Sequence, residues 1–406
     1  MRKTLRILVL LLLTASAWAC GTDGLGGNSS HPGGKVFLLS IDGGGIRGIV
    51  PAAILTQIEA QTGKRAYQIF DLIGGTSTGG IITIGLTSPN PMPDGKPFTA
   101  QELLDIYKTQ GGKIFYKQSM FCATCAAYYA DDRKGNGVEP YLQSLVSKTV
   151  TLADGRKYIQ SQPGNQVRQI FTTTYTINSS GGVVKDPRRG WDYGPYLFNT
   201  FDATRNPEDN YALWEAARGT SAAPTFFPVA HVGGGKGGRS AAERWVVDGG
   251  VMSNDPGVWA VSEALRTGIA KELKDIVLIS LGTGLYPADA GLGINNNSGV
   301  TVPDSGNWGT APWLATNMYN LQGVSNRGAI VNVMSYSEQL ATDPQLRGFQ
   351  AAGMQYYRLS PNLPQAQAAM DDISAANIDS LVAITNRYLT GEGKKTFDAA
   401  IKAIGN

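Results

Sequence analysis

The chain has 406 residues, 42% of them apolar and 17% charged, the balance of a globular protein and not of a disordered or fibrous one. Its 51 glycines cluster at turns without a fixed period, which excludes a collagen-like repeat and a solenoid. Residues 1–19 carry Arg2, Lys3 and Arg6 and no acid, so the remainder holds 32 basic against 32 acidic residues, and a formally neutral chain gives no footing to net-charge steering toward nucleic acid or anionic lipid.

Met1-Arg2-Lys3-Thr4-Leu5-Arg6 is a basic start, Ile7 to Leu13 an apolar run, and Ala17-Trp18-Ala19 a small-residue cleavage site before Cys20. This reads as a secretory signal over residues 1–19, too short to span a membrane, and implies export from a bacterial cytoplasm. Residues 20–34 read as a flexible Gly/Ser-rich tether. A cysteine at the first mature position resembles a bacterial lipoprotein, although Ala17 and Trp18 stand where that signal has an aliphatic and a small residue. Secretion into the periplasm or medium and lipid anchoring through Cys20 both stay open. Lipidation would leave Cys122 and Cys125 as an even pair, read as a small disulfide staple; no second cysteine pair or histidine cluster accompanies them to bind zinc.

Lys35 to Ile41 is an apolar strand that stops in Asp42-Gly43-Gly44-Gly45-Ile46-Arg47-Gly48. A helix then begins near Gly48, with Pro51 in its first turn, and runs to about Gly63. Glycines without Cβ let N–H groups approach a ligand closely. Gly43 to Gly48 taken alone fits a dinucleotide fingerprint, but that reading wants an acid closing the second strand, and the nearest acid, Asp71, precedes Leu72-Ile73. As an oxyanion hole the loop would present the Gly44 and Gly45 N–H groups to a substrate carbonyl, each donor worth about 3 kcal/mol in the transition state. Arg47 either braces the loop by bonding its carbonyls or is a solvated first-turn side chain.

The second strand runs into Gly75-Thr76-Ser77-Thr78-Gly79, and Ile81 to Leu86 follows: strand, tight turn, helix. Gly75 and Gly79 leave room for a turn that lifts the Ser77 hydroxyl and holds it at the amino end of a helix, where unpaired N–H groups favour a developing oxyanion. The pentapeptide alone is equally a glycine-rich turn with an ordinary serine.

Ser88 to Pro97 reads as a loop and Ala100 to Thr109 as a helix. Residues 111–166 form a less regular excursion whose Phe115, Tyr116, Phe121, Tyr128 and Tyr129 would either pack or line an acyl pocket or lid. Strands are expected at Gln169 to Ile177 and Tyr196 to Phe201, a helix at Tyr211 to Gly219, and a strand at Arg244 to Val247 that stops in Asp248-Gly249-Gly250. A helix at about Pro256 to Arg266 precedes a buried strand, Asp275 to Leu281, which ends in Gly282-Thr283-Gly284. Residues 285–312 read as loop, Trp313 to Leu340 as largely helical, Gln355 to Leu359 as a strand, and two helices follow Ser374. Apolar strands alternating with helices predict a mostly parallel sheet covered on both faces, with ligands bound beyond the carboxyl ends of the strands. The Gly43–Gly45 loop, Ser77 and Asp248 each sit at a strand's carboxyl end.

A serine nucleophile needs a base. His31 lies in the tether, where nothing is expected to hold it, and His231 reads as a core or loop histidine, since the chain order Ser, acid, His would require an acid between 77 and 231. That leaves a carboxylate. Asp248 would need partial desolvation to become basic enough, and Gly249 and Gly250 would let its loop reach Ser77. Its alternative is a turn-forming aspartate.

In that order, the Asp42–Gly48 loop, the Gly75–Gly79 elbow and Asp248-Gly249-Gly250 resemble the patatin-like phospholipases, and the pairing is similar to the Ser-Asp dyad of cytosolic phospholipase A2. The resemblance extends to Ile49-Val50-Pro51-Ala52, to the Thr220–Pro228 segment and to Leu281-Gly282-Thr283-Gly284, and covers about residues 35–285. It implies Ser77 as nucleophile, Asp248 as base and the Gly43, Gly44 and Gly45 amides as oxyanion hole, with Arg47, Gly48, Gly75, Gly79, Gly249 and Gly250 supporting the motifs. It also implies a three-layer α/β/α fold with a mostly parallel sheet, and ester hydrolysis with no metal or other cofactor. The substrate would be a lipid or phospholipid met at a membrane surface, with no nucleic acid partner; protein partners are left open. The expected division is a catalytic core over 35–285 and a mostly helical extension, 286–406, packed on it. The expected function is that of a lipid acyl hydrolase of phospholipase A type. A carboxylesterase or thioesterase on shorter acyl groups, or a non-catalytic phosphate- or nucleotide-binding protein, are the alternatives.

Overall fold

Val36–Ile41, here β1, is buried along its whole length. Phe37, Leu39 and Ile41 enter one hydrophobic cluster and Val36 and Leu38 another, as the two-residue period of a strand covered on both faces demands. The computed structural model describes residues 25, 31–92, 94–116, 129, 135–178, 193–285, 329–367 and 369–405. The signal segment, Cys20, Cys122, Cys125, Phe121, Tyr128, the loop over 286–312 and the first part of the helical stretch after Trp313 lie outside the described residues.

After β1 come α1 (Ile49–Thr62), β2 (Leu72–Thr76), α2 (Thr78–Gly85), α3 (Ala100–Ile114), α4 (Val138–Val146), α5 (Leu152–Gln160), β3 (Gln169–Asn178), β4 (Gly194–Asn199), α6 (Thr200–Ala203) and α7 (Leu213–Thr220). β5 (Ala230–Val232), β6 (Arg244–Asp248), α8 (Gly257–Arg266), β7 (Ile276–Leu281), α9 (Ala329–Ala351), β8 (Gln355–Leu359), α10 (Ala375–Thr390) and α11 (Lys394–Gly405) complete the described chain. The strands form one sheet. β3, β2, β1, β7 and β8 run parallel in that order, while β4 and β6 pair antiparallel with β3, and β5 antiparallel with β6. On one face α1 packs with α3, α10 and α11; on the other α8 lies on β1, β2 and β7 beside α9. This is a three-layer α/β/α architecture, mostly parallel as expected.

β3 is longer than its neighbours, and its register fixes the centre of the molecule. It pairs with β2 up to Thr76↔Thr173 and with β6 from Asp248↔Thr174 onward. Since Thr174 and Thr176 also pair with β4, β6 must lie along the same edge of β3 as β2. β2 climbs that edge and β6 descends it, so the two strands meet end to end. Asp248 therefore does close a strand, but an antiparallel one arriving from the opposite direction to the parallel strands on which the sequence expectation was built.

Other differences have local causes. α3 runs on to Ile114 because Gly111 serves packing and not termination: a Cβ there would lie 3.0 Å from Ile373. α4 and α5 fill the stretch read as irregular. The strand expected over Tyr196 to Phe201 is β4, which ends at Asn199 because that side chain caps α6 by accepting the Asp202 N–H at 2.7 Å. His31, expected to be unheld, is held: its ring stacks on Phe37 at 3.9 Å, and Nε2 lies 3.0 Å from Asp71 Oδ2. Asp71 is fully buried, accepts the Phe37 N–H at 2.8 Å and pairs with Arg168 Nε at 3.2 Å, so it has no capacity left for a ribose.

The close contact between β1 and the turn after β2 tolerates no side chain. A Cβ on Gly79 would come within 2.1 Å of the Ile41 carbonyl oxygen, a backbone atom that cannot swing aside. Gly79→Ala is expected to lower the unfolding free energy by roughly 1–3 kcal/mol, the usual cost of overpacking, read as a lower denaturation midpoint with an unchanged slope.

Candidate active site

Ser77 sits between β2 and α2 with φ 54° and ψ −120°, on the side of the map that a non-glycine residue enters only under constraint, at about 1–3 kcal/mol. The turn folds back on itself so tightly that a Cβ on Gly75 would lie 2.2 Å from Gly79. The Ser77 N–H donates to Thr220 Oγ1 at 2.9 Å, and Thr76 Oγ1 bonds Thr173 Oγ1 at 2.7 Å and the Ser253 carbonyl at 2.6 Å. The backbone of this strained serine is thus braced from α7, β3 and the loop after β6.

Asp248 faces it. The residue is only 4% exposed, its carboxyl accepts the Gly250 N–H at 2.7 Å, and it shares the cavity with the Ser77 side chain, which acts on its ionisation. Burial pushes this carboxyl up from 3.8 to about 7; the bonds from Ser77 and Gly250 and the charge of Arg218 pull the other way and are outweighed. Gly249 lets the turn lie flat on β3, where a Cβ would meet Thr173 Oγ1 at 2.0 Å.

The glycine loop after β1 forms the third side. Gly43 is not an available donor, contrary to expectation, because its N–H already donates to the Asn254 carbonyl at 3.0 Å. Its lack of a side chain is needed instead for close approach, since a Cβ would lie 2.4 Å from Asn254 Oδ1. Gly44 and Gly45 line the cavity beside Ser77, and among the described residues their N–H groups have no partner. Arg47 takes the bracing role: it is buried, and its Nε donates to the Gly44 carbonyl at 3.4 Å. Gly48 lets the loop close on α2, where a Cβ would meet Thr78 Oγ1 at 2.3 Å.

Between these elements opens a cavity of about 210 Å³ that reaches Ser77 and Asp248. Its walls are mainly apolar, with Ile81, Ile114, Phe115, Val138, Phe227 and Met370 among them. Phe115, Tyr129 and Phe227 form one aromatic cluster with ring centres 5.4 to 5.9 Å apart. Of the aromatics singled out in the sequence, Phe115 thus lines the cavity and Tyr129 packs behind it.

A family model described as Patatin-like phospholipase matches residues 39–257, more than half of the chain. The chain belongs to the patatin-like phospholipase family. Patatin-like protein 2 of Oryza sativa subsp. indica is 28% identical, covering 92% of this chain and 88% of its own length. Patatin-T5 of Solanum tuberosum is 27% identical over 98% and 93%. A third relative, described as Probable inactive patatin-3-Kuras 1 of Solanum tuberosum, is 26% identical over 91% of each chain. The patatin-like family is one of lipid acyl hydrolases, but a relative so described means that membership alone does not carry activity. The residues must.

In this member of the family neither histidine lines the cavity. His31 is engaged with Asp71, and His231, on β5, stacks on Trp245 at 4.3 Å with Nε2 2.6 Å from Glu243 Oε1. Among the described residues no group of three or more His, Cys, Asp or Glu is placed to hold a metal ion. Several contributors were not assigned roles from the sequence. Thr220 and Thr283 were quoted only as parts of motifs, yet Thr220 holds the Ser77 amide and Thr283 Oγ1 donates to the Gly43 carbonyl at 2.6 Å. Tyr107 hydrogen-bonds the Thr78 hydroxyl and donates to the Thr78 carbonyl at 3.2 Å, anchoring the start of α2. Thr78, the residue after Ser77, also lines the cavity, and its amide is a further donor position because the first N–H groups of a helix have no partner within it.

The raised Asp248 carboxyl has a consequence for stability. The folded protein holds this proton more tightly than the unfolded chain, so stability falls as pH rises from about 4 through about 7. Asp248→Asn, permanently neutral, is expected to flatten that fall: its melting temperature at pH 8 should equal or exceed that of the wild type, while at pH 5 the two should differ less.

Proposed function

We propose that this protein hydrolyses fatty acyl esters of lipids with Ser77 as nucleophile and Asp248 as general base. The observation that carries the reading is a backbone-strained serine and a buried carboxyl of raised pKa facing one apolar cavity, next to the glycine loop. In the reaction, Asp248 accepts the Ser77 proton as Oγ bonds the ester carbonyl carbon, and the carbonyl electron pair moves onto oxygen. The Gly44 and Gly45 amides, with Thr78 as a further candidate, are the donors for that oxyanion. The proton then passes to the departing alkoxide, leaving the acyl group on Ser77. Water attacks the acyl-enzyme, gives a proton to Asp248, and the fatty acid leaves as Ser77 recovers its hydrogen.

The cavity wall argues against the phosphate-binding alternative. Beyond the loop amides the lining offers a phosphate no lysine or arginine among the described residues, whereas Ile81, Phe115, Phe227 and Met370 suit an alkyl chain. We also infer that residues 1–19 direct export, that Cys20 is the point of attachment to a membrane if the protein is anchored, and that the core over 35–285 carries the chemistry. No helix among the described residues is long and apolar enough to cross a membrane.

A fluorophosphonate probe should label the purified wild type at Ser77 and leave Ser77→Ala unlabelled. Ser77→Ala and Asp248→Asn should stay folded with ester hydrolysis reduced at least about a thousandfold; a folded Ser77→Ala protein keeping a tenth of wild-type activity would overturn the assignment. Because Asp248 must be ionised to act, kcat/KM should fall tenfold per pH unit below about 7 and level off above it. A flat profile between pH 5 and 8 would remove Asp248 as the base. Esters of graded chain length separate a lipid hydrolase from a short-chain esterase.

A further inference from the structure

Beyond the stretch matched by the family model, β8 and α9 send side chains beneath the glycine loop. Arg358, on β8 with its side chain 10% exposed, donates from Nη1 to Asp42 Oδ1 at 2.8 Å and from Nη2 to Asp42 Oδ2 at 2.5 Å. Its Nη1 also donates to Ser280 Oγ at 2.7 Å and lies 3.0 Å from Asp255 Oδ2. From α9, Gln339 Nε2 donates to Asp42 Oδ2 at 3.0 Å and Glu338 accepts the Asp255 N–H at 2.8 Å.

The fork of this guanidinium holds Asp42 by two hydrogen bonds and its charge faces Asp255 as an ion pair, and the two carboxyls belong to different halves of the site. Asp42 is the residue from which the Gly43-Gly44-Gly45 loop springs, and Asp255 closes the loop that starts with Asp248. Those loops are stitched to each other directly above it: the Gly43 N–H donates to the Asn254 carbonyl at 3.0 Å, and Asn254 Nδ2 donates to the Gly43 carbonyl at 3.3 Å. A planar guanidinium fork sets a carboxylate's orientation as well as its distance, which a lysine point charge does not. The cluster is poorly built for stability. Two carboxyls share one cation with a third, Glu338, beside them, and burial pushes Asp42 up to about 8 and Glu338 to about 7. What it supplies is geometry.

We propose that Arg358 is a positioning residue for acyl transfer: it locks the glycine loop and the Asp248 loop in mutual register, so that the Gly44 and Gly45 donors meet the oxyanion formed at Ser77. The inference rests on the Ser77–Asp248 reading and extends the working site into the C-terminal segment.

The test uses the full chain with Arg358→Lys, which keeps the charge and loses the fork, and with the charge-balanced pair Asp42→Asn/Arg358→Gln. The probes are a long-chain alkyl trifluoromethyl ketone and the methyl ketone of the same chain. The first adds the serine oxygen to its carbonyl carbon, the serine proton passing to Asp248 and the negative charge to the ketone oxygen; the second occupies the cavity without adding appreciably. Arg358→Lys should lower kcat about tenfold or more with KM within twofold, and weaken the trifluoromethyl ketone by a similar factor while leaving the methyl ketone unchanged. A role in folding alone would lower the melting temperature but move both ketones together or neither. The proposal is overturned if a folded variant keeps kcat and the ketone preference within twofold of wild type, if both ketones weaken alike, or if neither variant folds. A wild type that shows no preference for the trifluoromethyl ketone overturns the Ser77 reading itself, whatever Arg358 does.

Discussion

Everything chemical in this molecule hangs on one edge of β3. β2 occupies that edge up to Thr173 and β6 takes it over at Thr174, running the other way, so the residues that close the two strands are brought face to face by backbone pairing. Two strands from distant parts of the chain could meet at many registers, but hydrogen bonding along β3 admits only steps of the pleat, and a slip by one residue would turn a side chain to the opposite face. The threonines at the junction reinforce it: Thr174 Oγ1 donates to the Val247 carbonyl at 2.7 Å, and Thr173 bonds Thr76. The position of Asp248 relative to Ser77 is thus set by main-chain geometry before any side chain chooses a rotamer.

The elements that meet here were legible in the sequence for a simple reason. β1, β2 and β7 are buried on both faces, so β1 and β7 read as apolar runs broken only by Ser40 and Ser280 and β2 as Leu72-Ile73 before its glycines, and each leads into glycines where the backbone must pass close to a neighbour. Elements away from the centre were harder to read. α5 begins with a Thr151–Asp154 capping box, a signal that was present and passed over, while β5 spans only three residues, too few for any periodicity. The antiparallel sense of β6 could not be read from an isolated strand, since direction is a property of the pairing.

The site itself divides in the same way. Ser77, Asp248 and the glycine loop announce themselves by composition, but a loop of three successive glycines does not say which amide is already engaged. Only the contact with Asn254 removes Gly43 from the donors. Arg358 is invisible to local reading altogether, because its partner Asp42 lies 316 residues earlier and nothing near Arg358 in the sequence marks it out. Supporting residues of this kind act through distance in space, and spacing along the chain carries no trace of it.

The apolar walls around Ser77 and Asp248 have an implication for the electrostatics of turnover. When a neutral imidazole takes a serine proton, two opposite charges are created and a dry cavity must separate them. A carboxylate base starts the step already anionic, so proton transfer only relocates one negative charge from the aspartate to the former carbonyl oxygen. The total stays constant from Michaelis complex to tetrahedral adduct. In the proposed reaction such a migration over a short path needs little dielectric response from its surroundings, so the apolar lining exacts its cost in ionising Asp248 and not in the bond-making that follows.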